Sequence, residues 1–172
     1  AGRARITAEM DALSYLLLEN AQHSGTPAAD SLTVTDGMEL ALSVVLGADL
    51  ALPFDSGEQG YWRQDLPKID TLTAPPVGTP LSQMISGSPT LLRALQGVSV
   101  VEEAEAEAAQ TSLLPGQMLV SKSGKLWRWD VLIRKGEASS EAERMRHRQR
   151  LSQLGIEAES AKASFADKQK AL

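Results

Sequence analysis

The first residues of the chain follow a helical hydrophobic pattern. Apolar side chains recur at spacings of four, three and four residues and are separated by charged positions. This spacing places them along one face of a helix and is typical of a coiled-coil seam. We expect the helix to end near Asn20, because Gly25 and Pro27 follow and both disfavour helix. The predicted seam consists of Ile6, Met10, Leu13 and Leu17.

The last residues of the chain show the same alternation of three and four. Two such stripes, each too short to form a stable helix alone, can be buried by packing antiparallel on each other. The alternative interpretation is two ordinary amphipathic helices of a bundle. Because the chain begins and ends inside helical patterns, we also expect it to be a segment of a longer protein. The second seam consists of Leu151, Leu154, Ala158, Ala161, Phe165, Lys168 and Leu172.

Between the two seams the pattern predicts a globular region. We therefore expect an N-terminal coiled-coil arm over residues 1–22, a globule over 30–136 and a C-terminal arm over 137–172. Asp36 is the predicted N-cap of a short helix that ends at Gly47. Residues 53–80 are rich in turn-forming residues and predict an irregular connection. Ser88 and Pro89 are typical of the start of a further helix.

The second half of the globule alternates between predicted strands and helices. A strand over 98–101 is followed by a helix with an acidic first turn, and a strand over 117–121 leads into a tight turn at Gly124. A single strand is predicted over 126–134. Together these elements predict an α+β fold, in which a small mixed sheet carries helices on one side.

The strand predicted over 126–134 has one strongly apolar face. Alternation places Trp127, Trp129, Val131 and Ile133 on that face. One interpretation is a core strand whose indole rings pack under the helices. The other is that part of this strand forms an edge that pairs with a second subunit, which would cover an apolar edge prone to association.

Composition narrows the class of protein. Aromatic residues make up only 4% of the chain, so the core must be mainly aliphatic. There is no cysteine, which excludes disulfides and thiolate zinc sites. We expect a soluble, cytoplasmic protein with no membrane contact, since no apolar run reaches the length of a membrane span. The net charge of −5 argues against nucleic-acid binding over the whole surface.

Catalytic chemistry is not indicated. The two histidines, His23 and His147, have no credible partner in a catalytic or metal site. We predict no catalytic residue, no cofactor and no metal. A minor alternative is an enzyme domain that uses Asp30, Asp36 or Glu39.

A basic cluster interrupts this acidic chain. Four arginines fall within seven residues just before the second seam becomes regular. They form either a solvated helix face or a phosphate-binding stripe that binds DNA weakly and without sequence preference. The predicted DNA-binding residues are Arg144, Arg146, Arg148 and Arg150, extended by Arg134 and Lys135.

Two parts of the globule, each made of two short ranges, resemble a known family. Residues 34–42 and 46–50, together with 115–121 and 124–130, are similar to the hinge of SMC (structural maintenance of chromosomes) proteins, particularly those of alphaproteobacteria. The Trp-Arg-Trp-Asp stretch of residues 127–130 is the most specific part. The sequence departs from the family in two places. Only Gly136 remains of the glycines expected after the last strand, and the irregular connection replaces a helix expected after Leu50.

The resemblance implies a two-lobed hinge that forms a homodimer and joins two coiled-coil arms. The parent protein would be a nucleoid-associated ATPase of chromosome condensation and segregation, with distant ATP-binding heads that bind kleisin-type subunits. The lack of cysteine rules out a zinc hook at the apex. The alternative function is a coiled-coil scaffold whose central domain binds another protein and not DNA. The predicted dimer interface consists of Trp129, Val131, Leu132, Ile133 and Gly136.

Overall fold

A computed structural model describes residues 2–19, 26–136 and 140–171. The chain divides into two compact units, one formed by residues 1–22 with 144–172 and the other by residues 23–143. The predicted end of the first helix near Asn20 lies outside the described residues, as does His23. The boundaries proposed for the arms and the globule stay predictions.

The helices and strands of the described ranges follow the predicted mixture of both types. The longest helices are the first and the last, while the globular unit contains short elements. The helices are α1 (Gly2–Glu19), α2 (Glu39–Leu46), α3 (Pro89–Ala94), α4 (Glu103–Gln110) and α5 (Ser140–Lys170). The strands are β1 (Thr33–Val34), β2 (Thr79–Pro80), β3 (Ile85–Ser86), β4 (Val98–Val100), β5 (Met118–Val120), β6 (Lys125–Arg128) and β7 (Ile133–Lys135).

The main sheet is mixed, as predicted. Its strand order is β2-β4-β5-β6-β7, while β1 and β3 form a separate antiparallel pair. β4 and β5 are parallel, and α4 makes the crossover between them. All other neighbours in the main sheet are antiparallel. The α+β fold class is confirmed.

One face of the main sheet is covered by α4. Trp127 of β6 is completely buried there, opposite Leu119 of β5. Both side chains pack with Val101 and with Ala106 of α4 in one apolar cluster. This packing confirms the interpretation of Trp127 as a core residue.

The other face is covered by α2, so the prediction of helices on one side only is wrong. A Cβ atom added at Gly124 would lie 2.7 Å from Leu40 Cγ, and one added at Gly136 would lie 2.9 Å from Val44 Cγ2. Leu40 and Val44 are one turn apart on α2, which therefore lies directly on the backbone of β6 and β7. Because side chains of a strand alternate, Leu126 lies on the face opposite to Trp127. Leu126 is also buried, so this second face is covered as well.

The start of α2 differs from the prediction. The N-cap is Met38, and Asp36 lies in the preceding turn. Gly37 has a φ of +90°, so the backbone at this point cannot continue as a helix. Glu39 accepts a hydrogen bond from the Gly37 N–H at 3.0 Å. The predicted end at Gly47 is confirmed, with Gly47 as the C-cap at a φ of +57°.

The irregular connection over 53–80 is confirmed up to the short strand β2. Polar side chains of the sheet region bind its backbone. Gln96 accepts from the Ile69 N–H and donates to the Ile69 carbonyl, Gln117 donates to the Thr73 carbonyl, and the buried Ser99 hydroxyl donates to Pro75. These bonds satisfy backbone groups that a segment without regular structure leaves unpaired.

The single strand predicted over 126–134 is wrong. The chain turns back after Arg128, and β7 pairs antiparallel with β6, with Trp127 opposite Ile133. Val131 has a φ of +67° and breaks the extended conformation. As a result, Trp129 does not follow Trp127 into the core and is 44% exposed.

The two long helices, α1 and α5, contact each other at two described places. Leu17 meets Arg144 and Glu9 meets Arg150, so the helices run antiparallel. Ile6 and Leu154 of the predicted seams are buried. Phe165 of the second predicted seam is 52% exposed. A coiled-coil geometry for this pair stays a prediction.

We predict that Gly124→Ala lowers the free energy of unfolding by about 2–4 kcal/mol, since the new Cβ adds a clash with Leu40 to the strain of a positive φ. Gly37→Ala is the matched control, because its φ is +90° but a Cβ there meets nothing within 4 Å. It should cost only about 1 kcal/mol. Chemical denaturation measures both values, and equal losses would contradict the close approach of α2 to the sheet.

Candidate interaction surfaces

The turn between β6 and β7 carries a cluster of exposed apolar side chains. Val131 is 82% exposed, Ile133 47% and Leu132 36%, beside the half-exposed Trp129. Large apolar side chains that cluster in this way on a surface are typical of protein contact sites. Four of the five residues predicted for a subunit interface therefore lie together. We call Trp129, Val131, Leu132 and Ile133 the hairpin tip.

Gly136, the fifth predicted residue, has a different environment. Its N–H donates to the Gly124 carbonyl at 2.8 Å, and its Cα faces Val44 of α2. A side chain at this position would collide with the fold of the same chain. The structure thus gives Gly136 a packing role, and its place in an interface stays a prediction.

β7 is the last strand of the main sheet, and its three residues are all exposed. One side of β7 pairs with β6, while the other side is an edge of the sheet. An exposed edge strand presents backbone donors and acceptors that can pair with a further strand. The apolar hairpin tip and this edge are continuous in the chain.

Several bonds hold the turn that presents the hairpin tip. The Arg128 N–H donates to the Leu132 carbonyl at 2.9 Å, and the Val131 N–H donates to the Arg128 carbonyl at 3.1 Å. The Arg128 guanidinium binds the Asp130 carboxylate with two hydrogen bonds of 2.9 and 2.7 Å. The hydrogen bond from Arg128 lowers the pKa of Asp130 below its usual range. Gln110 of α4 donates to the Arg128 and Leu132 carbonyls at 3.0 and 3.3 Å.

Sequence reasoning missed the bonds around this turn. The strand predicted over 126–134 includes Arg128 and Asp130 and leaves no place for a turn between them, and Gln110 has no predicted role. The only local signal is the aspartate, a residue common in turns. Gln110 lies 18 positions from Arg128 in the chain, and no local pattern indicates their contact.

The predicted DNA-binding residues fall into two groups. Arg134 and Lys135 are exposed on β7, in the globular unit. The arginines of α5 belong to the other unit. There Arg146 and Arg148 are exposed, whereas Arg144 is 8% exposed.

Arg144 and Arg150 of α5 bind α1. The buried Arg144 donates from Nη1 to the Leu17 carbonyl at 3.1 Å. Arg150 donates from Nε and Nη2 to the two carboxylate oxygens of Glu9, at 2.8 and 3.2 Å. A bidentate arginine–carboxylate pair of this kind is specific in geometry. These two arginines therefore join the helices, and a role of theirs in DNA binding stays a prediction.

Two of the acidic residues considered for an enzyme site have different environments. Glu39 is buried and bound to the backbone of its own turn, while Asp36 is exposed. Within the described ranges, no group of three or more histidine, aspartate or glutamate residues could hold a metal ion. None of the helices in those ranges is long and apolar enough to cross a membrane.

Sequence comparison finds similarity to bacterial proteins of one name, although no family model matches. The chain is 30% identical over 169 residues, 98% of its length, to the Chromosome partition protein Smc of Rhodopseudomonas palustris. It is 32% identical over 139 residues, 80% of its length, to the protein of the same name from Cereibacter sphaeroides. The chain spans 15% and 12% of these two relatives, respectively.

Structure comparison finds similar folds. An SMC hinge domain of Geobacillus stearothermophilus, described as an asymmetric dimer, aligns with a TM-score of 0.67 at 17% identity, over 98% of this chain and 87% of that one. An SMC hinge domain of Pyrococcus furiosus aligns with a TM-score of 0.52 at 16% identity, over 78% of this chain and 87% of that one. A form of the Pyrococcus furiosus hinge with an extended coiled coil gives a TM-score of 0.51 at 17% identity, over 99% and 79%.

The bond between Glu9 and Arg150 predicts that the contact of α1 with α5 depends on pH. The hydrogen bond from Arg150 lowers the pKa of Glu9 below its usual range. A carboxyl with a lowered pKa in the folded state stabilises the fold above its unfolded pKa, and this stability is lost as the pH falls through the folded pKa. Amide hydrogen exchange of α1, corrected for intrinsic rates, should therefore be slow at pH 7. It should accelerate as the pH falls below about 4.3, the pKa of an unperturbed glutamate.

In the same measurement, Glu9→Gln should accelerate exchange of α1 at pH 7 and remove most of the acceleration in acid. Asp11→Asn is the control, because it removes the same charge from an exposed position of α1. An equal effect of both variants would contradict a specific role for the pair.

Proposed function

We propose that this chain, which belongs to the SMC family, corresponds to the hinge domain and joins two copies of its parent protein as a homodimer. The observation that carries the proposal is the apolar hairpin tip beside the outer edge of β7. A hinge needs a surface that binds a second copy of itself, and this surface has the required chemistry.

In a single copy, the hairpin tip leaves apolar side chains in contact with water. Burial of apolar surface stabilises an association by about 25 cal/mol for each Å² removed from water. A second copy seated on Val131 and Ile133 would remove that surface and cover the strand edge, which otherwise invites uncontrolled aggregation. β7 has only three residues, so backbone pairing alone adds few hydrogen bonds, and the side chains of the tip would contribute much of the affinity.

In the parent protein, α1 and α5 would each continue into a coiled-coil arm. The chain spans 15% of the relative from Rhodopseudomonas palustris, so the remaining functions of the parent are part of the proposal. We propose that it is a nucleoid-associated chromosome partition ATPase, with ATP-binding heads and kleisin-type subunits at the far ends of its arms. Within this assembly the present chain would not catalyse a reaction itself.

We propose further that the exposed basic residues bind DNA weakly. Arg146 and Arg148 support this on α5, and Arg134 and Lys135 support it on β7. Contacts of this kind go to phosphates and carry little sequence preference. The competing function is a scaffold that binds another protein and not DNA, and it is favoured by the engagement of Arg144 and Arg150 with α1.

Dimerisation is tested by placing a charge on the hairpin tip. Val131→Asp and Ile133→Asp should each raise the dissociation constant of the dimer by at least about 30-fold, because a buried unpaired charge strongly opposes association. Tyr61→Asp is the control, since Tyr61 is also a half-exposed apolar residue but lies in the irregular connection. Sedimentation equilibrium measures the dissociation constant of each of the three variants.

Fluorescence gives an independent readout of the same dimer. Emission should shift to shorter wavelength with rising concentration as Trp129 is buried, and the shift should disappear in Trp129→Phe. A wild-type chain that remains monomeric at high micromolar concentration would overturn the proposed function.

DNA binding is tested on α5. Arg146→Ala with Arg148→Ala should weaken binding of a short duplex and reduce the slope of log K against log salt by about 1 for each phosphate that is no longer bound. Lys168→Ala with Lys170→Ala removes the same charge from exposed positions near the other end of the helix. If both double variants bind alike, binding depends on overall charge, and absence of binding in the wild type favours the scaffold.

A further inference from the structure

The conformation of Val131 is strained, and its own packing does little to offset the strain. It is a β-branched residue with a φ of +67°, in the left-handed region that such residues rarely adopt. Its side chain is 82% exposed, so it gains little from packing in the monomer. A strained residue persists only where the surrounding structure holds it, and such residues concentrate at functional sites.

The conformation that competes with this turn is a continuous strand. Residues 126–134 alternate apolar and polar positions over most of their length and carry residues of high strand propensity. In a continuous strand Val131 would have an ordinary extended backbone. Something must therefore favour the folded-back turn over a conformation that this sequence supports locally.

Gln110 is placed to favour the turn. Its side-chain Nε2 donates to the Arg128 carbonyl on one side of the turn and to the Leu132 carbonyl on the other. The two carbonyls lie within reach of one amide only when the chain has folded back between them. The Gln110 side chain comes from α4, which packs on Trp127, so the turn is tied to the core of the same unit.

We infer that Gln110 is a positioning residue for the contact between two copies of this chain: by holding the turn closed, it fixes Val131 in the strained conformation that presents its side chain to the second copy. This inference rests on the proposed function, because it assumes that the hairpin tip binds a second copy. Gln110 of α4 would thus affect the affinity of the dimer without contacting the second copy.

The test compares two glutamines whose side chains each make two hydrogen bonds to the backbone of another segment. Gln110→Met removes both hydrogen bonds to the turn while keeping the length of the side chain. Gln96→Met is the matched control, because the Gln96 amide also makes two backbone hydrogen bonds, both to Ile69 in the irregular connection. Both variants should lower the thermal midpoint similarly. Only Gln110→Met should raise the dissociation constant of the dimer, by about tenfold for the removal of two hydrogen bonds.

A second variant separates positioning from general destabilisation. Val131→Gly removes the apolar contact but also the need to hold a strained residue, because glycine adopts a positive φ readily. It should weaken the dimer without lowering the thermal midpoint. In the Val131→Gly background, Gln110→Met should change the dissociation constant by less than about twofold, since residues that act through one another are not additive.

The outcomes distinguish failure of the inference about Gln110 from failure of the proposed dimer. An unchanged dissociation constant in Gln110→Met, or equal weakening by Gln96→Met, would overturn the inference while the dimer itself stands. Additive effects in the double variant would overturn it as well. A wild-type chain that does not dimerise would instead overturn the proposed function. All variants are compared at a temperature where circular dichroism shows them folded.

Discussion

Burial of Trp127 is the constraint on which the globular unit depends. Its indole is completely buried with Leu119 and α4 on one face of the sheet. Because side chains of a strand alternate, this burial turns Leu126 to the opposite face, where α2 lies on Gly124 and Gly136. A shift of one residue would exchange the two faces and place a charged side chain in the core. The register of β6 is therefore well determined, and with it the point at which the chain leaves the sheet.

The turn after Arg128 makes the apolar side chains that follow this register exposed, and these side chains form the proposed contact with a second copy. If the strand continued, Trp129 and Val131 would share the face of Trp127. Because the chain folds back, they become exposed beside the edge of β7. The same bonds that close the turn, from the Arg128 guanidinium to Asp130 and from Gln110 to the Arg128 carbonyl, explain how a strained and exposed valine is maintained. Core packing and the proposed self-association thus depend on a single hairpin.

Charge in this chain serves the fold as well as its surface. Arg150 and Glu9 lie 141 positions apart and form a bidentate pair between α1 and α5, and the buried Arg144 binds the end of the same helix. A cluster of arginines in an acidic chain therefore does not by itself indicate a nucleic-acid site. Within the cluster Arg146 and Arg148 are exposed, whereas Arg144 is buried.

Local sequence was enough to establish the mixed sheet, the two terminal helices with buried positions at Ile6 and Leu154, and the turn at Gly124. These features follow from periodicity and from the conformational freedom of glycine, which act over a few residues. Long-range packing established that residues 126–134 fold back and that helices cover both faces of the sheet. Asp36 lies in a turn for a local reason, the positive φ of Gly37. Long-range packing also established that Arg144 is buried and that Arg150 binds Glu9 of α1. Alternation has the same period in one long strand and in the two arms of a hairpin, so the pattern could not distinguish them. The distinction depends on Gln110 and on α2, whose contacts with the hairpin join residues far apart in the chain.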